Sequence, residues 1–210
     1  MVDKELSWKF AEDFVVEPPA IVTARQHSLE LGIDPVSAAT GAQLAVLAAA
    51  SSTHSILEVG TGAGVSGLWL LAGAPDAVLT SIDIELDHQQ YARTAFASGG
   101  VPANRIRLIT GRAAEVLPRM NDGAYDLVFV DADEGSVLDY VEHALRIARR
   151  GGLVLVAHAL WRGRVADPAR RDDTAEDFRA LLTTIAESTA VISAVSTAGD
   201  GLLQLVKVSD

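Results

Sequence analysis

The amino-acid sequence predicts an α/β domain in which helices cover both faces of a seven-stranded, mostly parallel β-sheet. Three observations predict this fold. A short apolar run enters a glycine-rich turn at residues 56–66, strands and helices then alternate as far as residue 157, and two apolar runs near the end of the chain flank a turn. Alternating strands and helices are typical of a parallel sheet with helices on both faces.

Residues 1–52 precede the first strand and are predicted to form three helices, which are separated by a pair of prolines and by Gly32. Proline interrupts a helix, and glycine commonly ends one. Three helices before the first strand are more than a minimal α/β domain needs, so we expect this segment to cover a ligand or to form a dimer face. The predicted organisation is one domain over residues 1–210, with this helical segment and an α/β core at 53–210.

The first strand and its turn read ILEVGTGAGVS at residues 56–66, where an acid and three glycines lead into a helix. Glycine lets the backbone approach a ligand closely, and a helix N-terminus presents unpaired N–H groups. A second apolar run over residues 78–83 also ends in an acid, Asp83, which can accept both hydroxyl groups of a ribose. Together these features predict a site for a cofactor that contains a nucleoside.

The glycine spacing distinguishes between two kinds of cofactor. A dinucleotide-binding turn has the pattern G-x-G-x-x-G, whereas the pattern that starts at Gly60 is G-x-G-x-G, with Val65 in place of the last glycine. A nicotinamide-dependent oxidoreductase is therefore an alternative that the turn argues against.

The remaining elements follow at regular intervals. Helices are predicted at residues 65–73, 87–98, 112–119, 136–149 and 174–188, and strands at 77–83, 105–110, 125–130, 153–157, 191–196 and 202–208. The near-continuous apolar strands fit burial on both faces of the sheet. The last two strands flank the turn AGDG at residues 198–201, which predicts an antiparallel hairpin. A dinucleotide-binding sheet would normally continue in parallel.

Composition restricts the partners of the protein. The chain has no cysteine, which excludes disulfides and thiolate metal sites. A net charge of −11 argues against a nucleic-acid substrate, because basic surfaces bind phosphates. The apolar stretches end before the roughly 18 residues of a membrane span, and the first residues do not form a signal peptide. We expect a cytoplasmic protein that acts on a small molecule.

Five segments together resemble the cation-dependent O-methyltransferases of the catechol and caffeoyl-CoA type. These are Rossmann-like class I methyltransferases that use S-adenosylmethionine (SAM). The segments are ILEVGTGAGVS at 56–66, TSIDIE at 80–85, GRAAEVLP at 111–118, YDLVFVDAD at 125–133 and GGLVLVAHALWRGRVADP at 151–168. The resemblance covers nearly the whole chain. It implies methyl transfer from SAM to a hydroxyl group of a small, aromatic acceptor, and a homodimer that forms through the N-terminal helices.

Carried over position by position, the resemblance also implies a cofactor site built from the turn, the strand ends and the loops beside them. Its residues are Val36 against the methionine part of SAM, Glu58, Gly60 and Thr61 in the turn, Ser66 at the cofactor carboxylate, Asp83 at the ribose, Ile84 and Ala113 at the adenine, and Asp131 beside the cofactor amino group and the acceptor.

The sequence departs from the family where the family binds a divalent cation. In the family, an Asp-Asn pair at the end of the next strand joins the acid at Asp131, and a lysine three positions after that acid serves as the base. Here the pair is His158-Ala159 and the lysine position holds Glu134. Alanine offers no ligand atom, and imidazole is a poor ligand for magnesium. We therefore expect no metal site of the family's type.

Three interpretations of this half of the site follow. In the first, which we adopt, methyl transfer needs no metal and His158 removes the hydroxyl proton beside Asp131, because an imidazole titrates near neutral pH. In the second, Asp131 and His158 join Asp133 or Glu134 around a softer metal such as zinc or manganese. In the third, the protein binds SAM without transferring its methyl group. Trp161 is either a wall for a planar acceptor or a packed anchor of its loop.

Overall fold

The computed structural model describes residues 4–209, whose helices and strands follow the predicted order. The helices are α1 (Lys4–Asp13), α2 (Pro19–Glu30), α3 (Ala38–Ala50), α4 (Val65–Gly73), α5 (Leu86–Ser98), α6 (Ala113–Val116), α7 (Val137–Ile147) and α8 (Asp173–Glu187). The strands are β1 (Ser55–Val59), β2 (Val78–Asp83), β3 (Ile106–Thr110), β4 (Tyr125–Val130), β5 (Ala148–Val156), β6 (Val191–Ser196) and β7 (Leu202–Lys207).

The strands form one sheet in the order β3-β2-β1-β4-β5-β7-β6. Strands β1 to β5 run parallel, whereas β7 lies between β5 and β6 and pairs antiparallel with both. This arrangement confirms the predicted fold class, a Rossmann-like methyltransferase sheet that ends in an antiparallel hairpin. The strand order reverses between β1 and β4, and ligands of open α/β sheets bind at the carboxyl ends of the strands on either side of such a reversal.

Two elements differ from their predicted bounds by more than two residues. The strand predicted to begin at residue 153 already begins at Ala148, because Tyr125 pairs with Ala148 before the register shifts. The helix predicted over residues 112–119 is a single turn, α6, followed by the 3₁₀ turn Leu117–Arg119. Pro118 has no backbone N–H to donate to the carbonyl four residues earlier, which limits the α-helix at this point.

Apolar side chains fill both faces of the sheet. Ile56 and Phe129 are buried in the core that includes α3, α4 and α5, whereas Leu57 and Val128 are buried in the core that includes α7 and α8. Burial on both faces explains why β1 and β4 read as continuous apolar runs in the sequence.

The N-terminal helices pack against the α4 and α5 side of the core, and glycine allows one close approach. An added Cβ at Gly73 of α4 would lie 1.9 Å from the carbonyl oxygen of Ala45 in α3, so only glycine fits there. Helix α1 is joined to the start of α3 by Glu12, whose carboxylate accepts hydrogen bonds from the Ser37 hydroxyl and the Ala39 N–H. The segment leaves large apolar side chains exposed to solvent, namely Trp8, Phe10, Phe14, Val16, Val22, Leu29 and Val46.

No helix within residues 4–209 combines the length and apolar character that crossing a membrane requires.

Candidate active site

The glycine turn after β1 brings the backbone against the end of β4. Gly60, Gly62 and Gly64 all have positive φ angles, a conformation that side chains rarely adopt. A Cβ at Gly60 would lie 1.8 Å from the carbonyl oxygen of Asp131, the residue that follows β4. The turn therefore depends on glycine both for its backbone conformation and for its contact with the neighbouring strand.

Asp83, at the end of β2, holds this turn. Its Oδ2 accepts hydrogen bonds from the backbone N–H groups of Thr61 and Gly62 at 3.0 and 2.9 Å, and its Oδ1 accepts one from the Glu85 N–H at 2.9 Å. His88 Nδ1 lies 3.5 Å from Oδ1, a neighbour that the sequence does not reveal because nothing in its pattern marks this histidine. The acid predicted to hold the ribose is thus fixed in place by the loop beside it.

A cleft of about 550 Å³ opens beside the Asp83 carboxylate and reaches Tyr140 on α7. This volume lies within the range of small-molecule sites. Five of the residues predicted to bind the cofactor line it, namely Gly60, Asp83, Ile84, Ala113 and Asp131.

A smaller cavity of about 70 Å³ continues from this cleft beneath the loop between α2 and α3. It shares Gly60 and Asp131 with the larger cleft, and Val36, Thr61 and Ser66 also line it. The predicted cofactor residues are thus brought together around two connected spaces, with the exception of Glu58.

Glu58 lies beneath the turn and is fully buried. The hydroxyl groups of Ser66 and Ser81 donate hydrogen bonds to its two carboxyl oxygens at 2.7 and 2.5 Å. Burial disfavours the charged carboxylate and raises the pKa of Glu58 to about 8, outweighing these two hydrogen bonds, which lower it. A pKa of about 8 favours the protonated form of Glu58 at neutral pH. Glu58 reaches the cavity through Ser66 and, by way of Ser81, through Thr61.

Asp131 lies where the cofactor cleft meets His158. The Nε2 atom of His158 lies 3.3 Å from Asp131 Oδ1, and its Nδ1 atom lies 3.3 Å from Asp200 Oδ2. The hydrogen bond with Asp131 is the main cause that raises the pKa of His158 to about 9; burial opposes the rise, and Asp200 adds to it. Without ligands, His158 is therefore an imidazolium at neutral pH.

The partner on the other side of His158 could not be found by sequence reasoning. Asp200 belongs to the AGDG turn between β6 and β7, which the sequence identifies only as a hairpin turn. Its carboxylate also accepts a hydrogen bond from the backbone N–H of Arg162.

Near Asp131, two residues bear on the expectation that the family's divalent cation does not bind here, namely Ala159 and Asp133. Ala159 is fully buried in the apolar core. Each carboxyl oxygen of Asp133 accepts one hydrogen bond, from the hydroxyl groups of Tyr140 at 2.6 Å and Ser136 at 2.5 Å. Among the residues that the structure describes, no group of three or more His, Cys, Asp or Glu side chains is arranged so that it could hold a metal ion.

Trp161 packs away from the cleft. Its ring stacks on Phe178 of α8 with a centroid separation of 6.2 Å, and its Nε1–H donates to Asp172 at 3.2 Å. Trp161 lines neither the cofactor cleft, nor the smaller cavity, nor the space beside His158. These contacts are those of a loop anchor, and a role for Trp161 as a wall for the acceptor stays a prediction.

A family model and a related protein both identify the chain as similar to O-methyltransferases. Residues 9–208 match a family model described as O-methyltransferase. A Mycobacterium marinum protein named as a candidate O-methyltransferase is 45% identical over 204 residues, which cover 97% of this chain and 91% of the relative.

Solved structures extend this result. The O-methyltransferase TomG from Streptomyces achromogenes, involved in tomaymycin synthesis and solved in complex with SAM, is 30% identical with a TM-score of 0.84, and the match covers all of both chains. A Corynebacterium glutamicum protein superposes with a TM-score of 0.89 at 28% identity, covering 98% of this chain and 97% of that one. The chain therefore belongs to the SAM-dependent O-methyltransferases of the catechol and caffeoyl-CoA type.

Proposed function

We propose that the protein transfers the methyl group of SAM to a hydroxyl group of a small, aromatic acceptor without the divalent cation of its family. The observation that carries this proposal is the position of Asp131, which lines the cofactor cleft, the smaller cavity and the space beside His158. One carboxylate thus faces both the expected cofactor and His158. The other basic side chains that line these spaces, His88 and Arg112, line the cofactor cleft alone.

The two connected spaces suit the parts of SAM. The turn at Gly60, Thr61 and Ser66 faces the smaller cavity and would hold the amino-acid part, with Val36 against its aliphatic chain. Asp83 would accept the ribose hydroxyl groups while it keeps the turn in place, and Ile84 and Ala113 would lie at the adenine. Asp131 would accept a hydrogen bond from the cofactor amino group. SAM supplies an electrophilic methyl group on a positively charged sulfur.

The chain's own contribution to the reaction is orientation and proton removal. The acceptor oxygen forms a bond to the methyl carbon as the carbon–sulfur bond breaks, and the hydroxyl proton passes to His158 Nε2. Holding the nucleophile in line with the methyl group supplies much of the rate of such a displacement. His158 accepts a proton only as a neutral imidazole, so the reaction is expected to become faster as pH rises towards 9.

The space beside His158 restricts how the acceptor enters. It measures about 10 Å³, room for no more than one water molecule. An aromatic acceptor must therefore approach Asp131 from the open cleft, or displace the loop that follows β5.

The test begins with calorimetric titration of S-adenosylhomocysteine, followed by incubation with methyl-labelled SAM and a panel of phenols and catechols. Methylation that is insensitive to a metal chelator and falls at least tenfold in His158→Gln supports the proposal. Methylation that stops with chelator and returns with magnesium overturns metal independence. Binding of S-adenosylhomocysteine without methylation of any acceptor supports the non-catalytic interpretation.

We also propose a homodimer that forms through the N-terminal helices. Trp8, Phe10, Phe14 and Val16 expose apolar side chains on and just after α1, and exposed apolar groups of this kind mark interaction surfaces. Light scattering after gel filtration is expected to give twice the chain mass of 22.1 kDa. The double variant Phe10→Ser with Phe14→Ser should be monomeric, whereas Ile192→Ser, which changes an exposed apolar residue on β6, should remain dimeric. A monomeric unaltered protein contradicts the proposal.

A further inference from the structure

The turn between β6 and β7 holds the loop that follows β5. The N–H groups of Ala159 and Leu160 donate to the carbonyl oxygens of Gly201 and Asp200, both at 3.0 Å, and the Arg162 N–H donates to the Asp200 carboxylate. A Cβ at Gly201 would lie 2.5 Å from the Leu160 side chain, so the two segments are in close contact. The loop is thus fixed by a turn that lies about forty residues later in the sequence.

The loop held in this way has an unfavourable backbone conformation. His158, Trp161 and Arg162 have φ angles of 58°, 44° and 53°, in the left-handed region that residues other than glycine rarely occupy. Residues in this region persist when the surrounding structure holds them, and they cluster at functional sites. The hydrogen bonds from the hairpin turn provide such support.

Asp200 also contacts the ring of the residue proposed as the base. Its Oδ2 lies 3.3 Å from His158 Nδ1, while Nε2 lies 3.3 Å from Asp131 Oδ1. The His158 and Asp200 side chains are each 21% exposed, so water competes little for this contact. A neutral imidazole has one N–H group, and the carboxylate that accepts from it decides which nitrogen is free to take a proton.

We propose that Asp200 is a positioning residue that holds the neutral ring of His158 in the Nδ1–H tautomer and so leaves Nε2 free as the proton acceptor. The two carboxylates lie at equal distances from the ring, so the assignment depends on the other partners of each. Asp131 faces the cofactor cleft, where the proposed function gives it the cofactor amino group as a second partner, whereas Asp200 has the His158 ring and one backbone N–H. The proposal rests on the proposed function for its catalytic consequence, although the tautomer itself needs no acceptor to be observed.

The tautomer can be measured directly. Protein with ¹⁵N-labelled histidine rings is saturated with S-adenosylhomocysteine, and the two ring-nitrogen shifts of His158, assigned with His158→Gln, are recorded at alkaline pH. We expect a pyrrole-type Nδ1 and a pyridine-type Nε2. Asp200→Asn should convert the ring to a mixture or to the Nε2–H tautomer, whereas Asp122→Asn, an exposed carboxylate paired with Arg146 before β4, should leave the shifts unchanged.

The spectrum of the unaltered protein tests the tautomer of His158 even if Asp200→Asn does not fold. A pyrrole-type Nε2 in that spectrum overturns the proposal, as does an Asp200→Asn protein that binds S-adenosylhomocysteine and keeps the original tautomer. If S-adenosylhomocysteine does not bind at all, the proposed function fails while the spectrum without ligand still tests the role of Asp200.

Where an acceptor is found, kinetics give a second readout. Asp200→Asn should lower kcat roughly 10- to 100-fold, the loss that follows when a carboxylate orienting a metal-ligating histidine is removed, with the KM for SAM unchanged within about twofold. In a His158→Gln background the same change should have little further effect, because residues that act as one unit are non-additive. Equal losses in both backgrounds would indicate a purely structural role.

Discussion

The Asp83 carboxylate lies 2.9 Å from the backbone nitrogen of Gly62, so one side chain both shapes the glycine turn and faces the cofactor cleft. This relationship, together with the contacts of Gly60, His158 and Asp126, leads to four predictions that need no knowledge of the acceptor.

Asp83→Ala should weaken binding of S-adenosylhomocysteine by about 10- to 100-fold, since it removes a charged hydrogen-bonding partner, worth about 1.5–3 kcal/mol, from the ribose and the turn. Calorimetric titration measures the change. Asp87→Ala, which removes a carboxylate from the first turn of α5 outside the cleft lining, is the matched control and should bind normally. Affinity within twofold of the unaltered protein would contradict a ribose role for Asp83.

Gly60→Ala should lose most cofactor binding and unfold at a lower temperature. The added Cβ would clash with the Asp131 carbonyl oxygen, and alanine is strained at a φ of 97°. Thermal unfolding and calorimetric titration check this prediction together. Gly135→Ala, where an added Cβ meets nothing within 4 Å, should change neither quantity appreciably.

The free energy that His158 contributes to folding should decrease at alkaline pH. Its folded-state pKa of about 9 lies above the ordinary value of 6.5, so the stabilisation is complete below pH 6.5 and is lost as pH rises through 9. The difference in urea-unfolding free energy between the unaltered protein and His158→Gln should therefore shrink between pH 6.5 and 9.5, by at most about 3 kcal/mol. A difference that does not change with pH would show that the pKa of His158 is not raised in the folded protein.

The free energy that Asp126 contributes to folding should depend on pH in the opposite direction. Asp126 lies near the start of β4, at the end of the parallel strands opposite the cofactor cleft. Burial raises its pKa, but the Arg149 guanidinium and the hydrogen bonds from the His54 and Ser55 N–H groups and the Ser55 hydroxyl outweigh this effect and lower the pKa to about 2. A lowered pKa stabilises the fold above the ordinary value of 3.8, and this stabilisation is lost as pH falls through 2.

We therefore expect Asp126→Asn to reduce the unfolding free energy at pH 7 by about 1–2 kcal/mol, a range that allows for solvent screening. The deficit should narrow below pH 4. Urea unfolding at both pH values measures it, with Asp122→Asn as the control for an exposed carboxylate on the same side of the sheet. An equal deficit at pH 7 and pH 3 would contradict the assignment of charge to Asp126.

The cofactor half of the site could be predicted because its signals are local in sequence. Gly60, Thr61 and Ser66 lie within one strand–turn–helix unit. Asp83 ends β2 and Asp131 follows β4, the two strands that flank β1. In a parallel sheet such residues meet at the same edge, so the position along each strand is sufficient.

The half around His158 could not be predicted in the same way. Asp200 comes beside His158 only because β7 inserts between β5 and β6 in an antiparallel register, which pairs Val156 with Leu203. An apolar pattern predicts that a hairpin forms but does not predict where it inserts in the sheet.

Two further contacts have no signal in the sequence. His88 lies in a polar helix turn without any distinguishing pattern, and the stacking of Trp161 on Phe178 depends on how α8 packs.

The hydrogen bonds between the hairpin turn and the loop after β5 have a consequence for the order in which the site is assembled. The cofactor cleft and the smaller cavity are built from residues between 28 and 140, which leave the ribosome first. The ring of His158 acquires its second carboxylate only when residues 200–207 have been synthesised and have paired with β5. The residues that line the cleft are therefore all synthesised before Asp200, the second carboxylate beside His158.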